Sequence, residues 1–164
     1  MSSSKRFVAD GMLGKSTRWL RLLGYDVEYK NNVDDNELLE QARSKDRTLL
    51  TRDVDLYRRA VSQGIEAFIV EGERESEKLA NVAKRFGLSL EFDSRLSRCP
   101  TCNSSLRAAP REEVASMIPK STLEGYKEFW LCTGCGKVYW QGGHWRKIDA
   151  ILSESRTLLK AKDS

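Results

Sequence analysis

Hydrophobic and polar residues alternate between strand-like and helix-like patterns over residues 6–92. Short apolar runs bounded by polar residues or glycine predict four strands, at Arg6–Ala9, Val27–Tyr29, Thr48–Thr51 and Ala67–Val70, the last of which is expected to be buried. Apolar residues at helical spacing predict the intervening helices, over 12–23, 36–44, from near Val54 to Gly64, and 75–86. This regular alternation predicts a parallel α/β sheet with helices on both faces. In such a sheet the functional crevice lies beyond the carboxyl ends of the strands.

The pattern changes after Asp93, because all three prolines and all four cysteines follow that residue. Five aromatic residues also cluster there: Phe129, Trp130, Tyr139, Trp140 and Trp145. We expect them to form the core of a small second unit, while stacking on nucleic-acid bases is the other interpretation. Helical spacing of apolar residues then predicts a terminal helix over 147–160. The predicted domains are an α/β domain (1–93), a small cysteine-bearing unit (94–146) and a C-terminal helix (147–164).

The four cysteines form two Cys-x2-Cys pairs, Cys99 with Cys102 and Cys132 with Cys135, separated by 29 residues. Zinc prefers four thiolates in a tetrahedron, and each short pair places two sulfurs on one side of the ion. We predict a structural zinc ribbon, whose ion has no open position and is therefore not the catalyst. An iron site with the same four ligands stays open. Two disulfides are disfavoured in a chain that carries no secretion signal.

Composition and charge narrow the class of protein only slightly. Hydrophobic residues make up 40% and charged residues 32% of the 164, which is typical of a folded globular protein. No apolar run approaches the roughly 18 residues that a membrane span needs. We expect a cytoplasmic protein without an organic cofactor. The net charge of +4 arises wholly in residues 93–164, which hold 12 Lys and Arg against 8 Asp and Glu. This mild excess permits a nucleic-acid partner without requiring one.

Three aspartates stand where successive predicted elements join. Asp10 ends the first strand, Asp35 begins the second helix, and Asp53 follows the third strand. The topology predicts that all three lie at the carboxyl edge of the sheet. Carboxylates that converge repel each other unless a cation lies between them, and such oxygen-rich sites suit Mg²⁺ or Mn²⁺. A water activated there can attack a phosphodiester.

Helix capping offers another interpretation of each acid. Asp10 and Asp53 stand where each would cap the following helix. Asp34 and Glu37 fit a capping pattern that would leave Asp35 as a surface residue. The spacing alone leaves both interpretations open.

Basic residues also flank the predicted acidic edge. Lys15, Arg18 and Arg21 recur at intervals of three on the first helix, opposite its apolar face, and Arg52 precedes Asp53. Such a stripe is usually a solvated helix face. Because arginine binds phosphate through paired hydrogen bonds, Lys15, Arg18 and Arg52 are the predicted phosphate contacts.

Several segments together resemble the Mut7-C ribonuclease domain, a compact branch of the PIN-like nucleases. These segments are residues 7–14 (FVADGMLG), 18–26 (RWLRLLGYD), 35–39 (DNELL), 47–53 (RTLLTRD) and 132–145 (CTGCGKVYWQGGHW). The resemblance covers nearly the whole chain and includes the C-terminal zinc ribbon.

The resemblance implies a PIN-like fold and metal-dependent cleavage of RNA, with Asp10, Asp35 and Asp53 as the metal-binding acids. For a fourth acid, only Asp55 or Glu37 is available nearby in the sequence. The lone histidine, His144, is expected to anchor the ribbon by packing beside Trp145. The hypothesis is therefore a metal-dependent endoribonuclease, with a non-catalytic RNA- or ribosome-binding module as the alternative. An interaction module of a larger complex is a further rival.

Overall fold

The computed structural model describes residues 5–162, and its first part is built on four parallel strands. They are β1 (Arg6–Ala9), β2 (Asp26–Glu28), β3 (Thr48–Thr51) and β4 (Ala67–Ile69), in the order β2-β1-β3-β4. Each strand is followed by a helix, and a turn separates β2 from its helix. The helices are α1 (Gly14–Leu22), α2 (Asp35–Ser44), α3 (Val54–Ser62) and α4 (Glu75–Phe86), with a short 3₁₀ helix at Gly11–Leu13 before α1. The predicted α/β class with a parallel sheet is confirmed.

The two faces of the sheet bury different helices. Phe7 and Leu50 face a core that contains residues of α1 and α4. Val8 and Leu49 face the opposite core, which contains residues of α2 and α3. Because successive side chains of a strand point to opposite faces, the apolar runs of β1 and β3 serve both cores. The edge strand β4 is only half-buried, although the sequence predicted a buried strand there.

The second unit contains the antiparallel sheet β5-β6-β7. Its strands are β5 (Leu106–Ala109), β6 (Phe129–Cys132) and β7 (Val138–Tyr139), and two short helices, α5 (Arg111–Val114) and α6 (Lys120–Gly125), lie between β5 and β6. A small core of Ala109, Val114, Phe129, Leu131 and Val138 covers one face of this sheet. We call residues 94–144 the ribbon unit.

The last element of the described residues is a long helix, α7 (Trp145–Lys162), that returns to the first domain and packs on α4. Leu152 is 1% exposed and belongs to the same core as Phe7. The ribbon unit is thus bounded in sequence by two helices that pack against each other. Within residues 5–162, no helix combines the length and apolar character that crossing a membrane would require.

Candidate active site and metal centre

Asp10 and Asp53 follow two neighbouring strands, β1 and β3, at the carboxyl edge of the parallel sheet. Asp10 is only 6% exposed. Its Oδ1 accepts a hydrogen bond from the backbone N–H of Met12 at 2.9 Å. Its Oδ2 accepts one from the hydroxyl of Thr51. A buried carboxylate held by two donors has a fixed orientation, and here both donors belong to the same edge of the sheet.

Thr51 connects the two acids. Its side-chain oxygen donates to Asp10 and accepts from the backbone N–H of Asp53 at 2.9 Å. The Asp53 Oδ1 atom accepts from the backbone N–H groups of Asp55 and Leu56, at 2.9 and 3.2 Å. Asp53 therefore caps α3, and this leaves its Oδ2 directed to no donor among the described residues. The capping interpretation and a role at the edge are compatible, because they use different oxygens.

Asp35 is the first residue of α2 and is exposed. The capping residue of α2 is Asp34, whose Oδ1 accepts from the N–H of Glu37 at 2.8 Å. The Oδ2 atom of Asp35 instead lies 3.6 Å from the Nη1 atom of Arg59. Residues 5–162 contain one group of three or more His, Cys, Asp or Glu side chains close enough to share a metal ion. That group is the four cysteines, whose sulfur atoms all lie within 4.8 Å of one another. Among the described residues the three aspartates therefore form no closed ligand set: Asp10 and Asp53 are linked through Thr51, whereas Asp35 contacts Arg59.

A further acid, Glu75, lies near this edge and was not among the predicted residues. It is the first residue of α4, which follows β4, and its Oε2 accepts from the hydroxyl of the buried Ser16 at 2.7 Å. Lys78 donates to its other oxygen at 3.2 Å. Because β4 is parallel to β1, the start of α4 lies at the same edge as Asp10. The position after a fourth parallel strand was the signal available in the sequence.

The predicted basic residues have different environments. Lys15 and Arg18 are exposed on α1, whereas Nη1 of Arg52 donates to the carbonyls of Val70 and Gly72 at 2.9 Å each. Arg52 thus ties the segment after β4 to the end of β3.

Arg21 does not belong to the exposed stripe that its spacing suggested. It is 5% exposed, and its guanidinium donates to the carbonyls of Val27, Pro100 and Thr101, at 2.9, 3.0 and 3.3 Å. Arg21 therefore fastens α1 to the first Cys-x2-Cys turn.

A cleft of about 610 Å³ lies between α1, the ribbon unit and the start of α7. We call it the ribbon cleft, and its walls include Lys15, Arg18, Trp19, Phe92, Trp130, Lys137, Tyr139, Trp140, His144 and Trp145. His144 is exposed at its margin. The carbonyl of His144 accepts from Lys147 at 3.1 Å at the start of α7.

The four cysteine sulfurs all lie within 4.8 Å of one another, and two of their pairs are near the spacing of a tetrahedral zinc site. Sγ of Cys99 lies 3.8 Å from that of Cys135, and Sγ of Cys102 lies 3.4 Å from that of Cys132. A zinc ion with Zn–S bonds of about 2.3 Å would separate its sulfurs by about 3.8 Å. The cluster can therefore hold zinc.

The surroundings of Cys132 and Cys102 favour thiolates, whereas desolvation and the neighbouring sulfurs raise the pKa of Cys135 to about 11. Sγ of Cys132 accepts from the N–H groups of Gly134 and Cys135, both at 3.3 Å. A Cβ atom at position 134 would lie 2.8 Å from Cβ of Ser104, so only glycine fits this turn. Hydrogen bonding from Ser104 lowers the pKa of Cys102 to about 6.

A tyrosine also contacts one of the cysteine sulfurs. The hydroxyl of Tyr139 lies 2.9 Å from Sγ of Cys99. Burial, followed by the neighbouring Cys99 sulfur, raises the pKa of Tyr139, so the protonated phenol can donate to a thiolate at Cys99 or to the Thr101 hydroxyl 3.3 Å away. Donors of this kind stabilise a metal-bound thiolate.

The family model described as the Mut7-C RNAse domain matches residues 5–152, which include the acidic edge and all four cysteines. The chain belongs to this family. No curated protein and no solved structure gives a match. Membership of the Mut7-C RNAse domain family indicates a ribonuclease-like role, for which the acidic edge is the candidate active site. The predicted family resemblance is confirmed.

Proposed function

We propose that this Mut7-C protein is a metal-dependent endoribonuclease whose active site is the carboxyl edge of the parallel sheet. The observation that carries the proposal is the buried carboxylate of Asp10, joined to Asp53 through Thr51. Burying a carboxylate costs free energy unless it is hydrogen-bonded or faces a cation. A second acid on the neighbouring strand adds negative charge at the same point, which a bound cation would neutralise.

Asp10, Asp35 and Asp53 would hold Mg²⁺ or Mn²⁺, which suit carboxylate oxygens and keep several waters. The ion would lower the pKa of a bound water and polarise the scissile phosphate. The hydrogen bonds of Asp10 fix its carboxylate before substrate arrives. Asp53 keeps one oxygen free while the other caps α3. Asp35, exposed at the start of α2, would exchange its ion pair with Arg59 for the metal ion.

Lys15, Arg18 and Arg52 are the proposed phosphate contacts. Lys15 and Arg18 extend from α1, which begins directly beyond Asp10 and its 3₁₀ turn. Arg52 lies next to Asp53, although its Nη1 is engaged by backbone carbonyls. We expect the two residues of α1 to contribute more to substrate affinity.

The four cysteines would hold a structural zinc ion, with no position left for a reacting water. The proposed protein thus uses two kinds of metal in separate places, with the chemistry at the acids. A cytoplasmic location stays a prediction.

The test is cleavage of an internally labelled, end-blocked single-stranded RNA by purified protein with added Mn²⁺ or Mg²⁺. We expect internal cuts, and loss of at least about 100-fold in rate for Asp10→Asn. The matched control is Asp46→Asn, which makes the same change before β3, at the opposite edge of the sheet. Asp46 has φ +51°, a conformation that asparagine tolerates well. Absence of metal-dependent cleavage, or equal cleavage by Asp10→Asn, would overturn the proposal.

A second candidate function is a non-catalytic RNA-binding module, and the ion pair of Asp35 with Arg59 favours it. In this alternative the carboxylates serve as caps and ion-pair partners. A titration with Mn²⁺ distinguishes the two functions. If the protein is a nuclease, Arg59→Ala should free Asp35 and increase the affinity for Mn²⁺. In the binding module the same variant would alter stability alone.

A further inference from the structure

The ribbon sheet has two faces with different partners. Phe129, Leu131 and Val138 point into the small core beneath α5 and α6. Trp130 alternates with Phe129 and Leu131 along β6, so it points to the opposite face, where it is paired with Tyr139 of β7. Trp130 belongs to none of the cores formed by the described residues. It lines the ribbon cleft instead.

This placement departs from the expectation that the aromatics form the core of the ribbon unit. Phe129 is buried there, and Trp140 packs against the same core. Trp130 and Tyr139 are half-buried walls of the cleft, and Trp145 joins them from α7, with its ring centroid 4.7 Å from that of Phe92. The cleft is therefore lined by flat aromatic surfaces, and no side chain among residues 5–162 occupies it.

The charge of the cleft has a single sign. Lys15, Arg18 and Lys137 stand on its walls, and none of the described lining residues is a carboxylate. None of these three cations has a carboxylate oxygen within 4.0 Å among residues 5–162. Lys137 instead lies 5.4 Å from the centre of the Tyr139 ring. Unpaired cations beside aromatic faces complement an anionic ligand that carries planar groups.

Single-stranded RNA has this chemistry, because it combines phosphates with unstacked bases. Aromatic side chains bind such bases by stacking, at about 1–3 kcal/mol per base, and cations bind the intervening phosphates. A duplex offers phosphates but keeps its bases stacked inside. A negatively charged protein would match the cations without needing the aromatic walls.

We propose that the ribbon cleft binds unpaired nucleotides of the RNA substrate, with Trp130 as a stacking platform and Lys137 as a phosphate contact. This proposal rests on the proposed function in taking RNA as the substrate. Lys15 lies on the α1 wall only five residues beyond Asp10, so its Cα is within about 18 Å of that acid. A strand that leaves the cleft along α1 would reach the acidic edge, which makes the cleft a holding site for single-stranded RNA beside the cutting site.

The experiment measures binding of a fluorescein-labelled oligouridine of about 12 nucleotides to the full zinc-loaded chain carrying Asp10→Asn, without chelator. Fluorescence anisotropy should show binding about 10-fold weaker for Trp130→Ala and nearly unchanged for Trp130→Phe. Lys137→Met should weaken binding and reduce the slope of log affinity against log salt by about one. Lys120→Met removes the same charge on the exposed α6 and should bind like the parent.

Duplex RNA of equal length should bind more weakly than the oligouridine and should not respond to Trp130→Ala. Zinc content and melting temperature verify that each variant keeps its fold. Unchanged binding in folded Trp130→Ala and Lys137→Met, or no binding to the parent, would overturn the proposal and favour a protein partner for this face. Trp130-dependent binding without any metal-dependent cleavage by the wild type would instead overturn the nuclease and keep the cleft.

Discussion

Thr51 determines the geometry of the candidate active site, although its own side chain is neutral. Its hydroxyl is fully buried between two acids, donating to the Asp10 carboxylate and accepting from the N–H of Asp53. One hydroxyl group thus orders the residues that follow two neighbouring strands. A serine or threonine is required for this pattern, because the group must both donate and accept.

Thr51→Val should therefore slow RNA cleavage by about 10-fold or more while the protein stays folded, since valine keeps the shape and loses both hydrogen bonds. The cost in stability should be about 1–3 kcal/mol, because Asp10 loses a buried donor. Initial rates measured at a series of Mn²⁺ concentrations should show that Thr51→Val needs more Mn²⁺ to reach half of its maximal rate. A purely structural role of Thr51 would leave that concentration unchanged. Thr51→Ser is the matched control and should recover most of the rate. An unchanged Mn²⁺ dependence in Thr51→Val would contradict the role assigned to Thr51.

Asp26 joins the sheet to the ribbon unit. Its Oδ1 accepts from Nη1 of Arg47 at 2.8 Å and from Nδ2 of Asn103 at 2.7 Å. Burial opposes ionisation of Asp26, but the hydrogen bonds from Arg47 and Asn103 outweigh it, so the pKa lies below its ordinary value. The ionised form therefore stabilises the folded state.

A group with a depressed pKa in the folded state stabilises the protein above its unfolded pKa and loses that contribution as the pH falls through the folded pKa. Asp26→Asn should thus lower the free energy of unfolding by about 1–2 kcal/mol at pH 7, allowing for partial exposure of the ion pair. The difference from the wild type should shrink below about pH 4. Urea unfolding at several pH values measures it. A difference that stays constant down to pH 3 would refute the electrostatic origin.

Arg21 shows a signal that the sequence contained and that a count of spacings missed. Lys15, Arg18 and Arg21 recur at intervals of three, but a helix has 3.6 residues per turn. Arg21 is therefore rotated by about 120° from Lys15, away from the exposed stripe. Its burial against the carbonyls of Pro100 and Thr101 follows from that rotation.

At the scale of elements, the terminal helix shows what periodicity can and cannot predict. The sequence predicted a helix over 147–160, and the structure has α7 at Trp145–Lys162. The partner of α7 was not predictable, because an amphipathic pattern specifies an apolar face without specifying which surface covers it. The structure packs that face on α4, so Leu152 enters the main core.

Leu152→Ala should therefore destabilise the first domain as well as the helix. Truncation of a fully buried leucine costs about 2–5 kcal/mol. Thermal or urea unfolding followed by circular dichroism measures the change. Lys147→Ala, on the exposed side of the same helix, is the control and should lie within about 0.5 kcal/mol of the wild type. A small loss in Leu152→Ala would indicate that α7 packs loosely on α4.

The four strands of the parallel sheet were predictable to within a residue, because each is a short apolar run between polar residues, whereas the three strands of the ribbon unit were not predicted. β3 has the predicted bounds, and β2 begins one residue earlier than predicted. The first helix differs more, since residues 11–13 form a 3₁₀ turn capped by Asp10 before α1 begins. Edge position also escaped prediction: β4 reads as a buried strand in sequence, but strand order is a property of the whole sheet.

At the scale of the whole molecule, the candidate site was predictable in position and not in composition. The rule that parallel strands end at one edge placed Asp10 and Asp53 together correctly. Glu75 was missed because no local motif marks it, and its proximity to Ser16 depends on α1 packing against α4. The ribbon cleft was likewise unpredictable, since its walls come from three segments that are distant in sequence.

The ribbon unit lies in sequence between α4 and α7, which pack on each other. It is also linked to the α/β part through Arg21 of α1 and Asp26 of β2. It is therefore held at both ends and at its first Cys-x2-Cys turn. The two larger cores surround the parallel sheet and contain no residue of the ribbon. These relations predict different responses of the two parts when the proposed zinc is removed.

The ribbon core has five buried residues, which is too few to hold a sheet of three short strands without a metal. A zinc chelator should therefore unfold the ribbon unit, while the parallel sheet and its flanking helices stay folded and keep most of the helical circular-dichroism signal. Oligouridine binding should fall to the level of Trp130→Ala or below, because the stacking wall is lost. A short dinucleotide substrate should still be cleaved after Mn²⁺ is restored, since the acids belong to the sheet. Circular dichroism, zinc analysis and the two activity assays separate these effects. Cooperative loss of the whole fold on chelation would instead show that the ribbon is part of one folding unit with the sheet, and that the cleft and the acidic edge depend on the same metal.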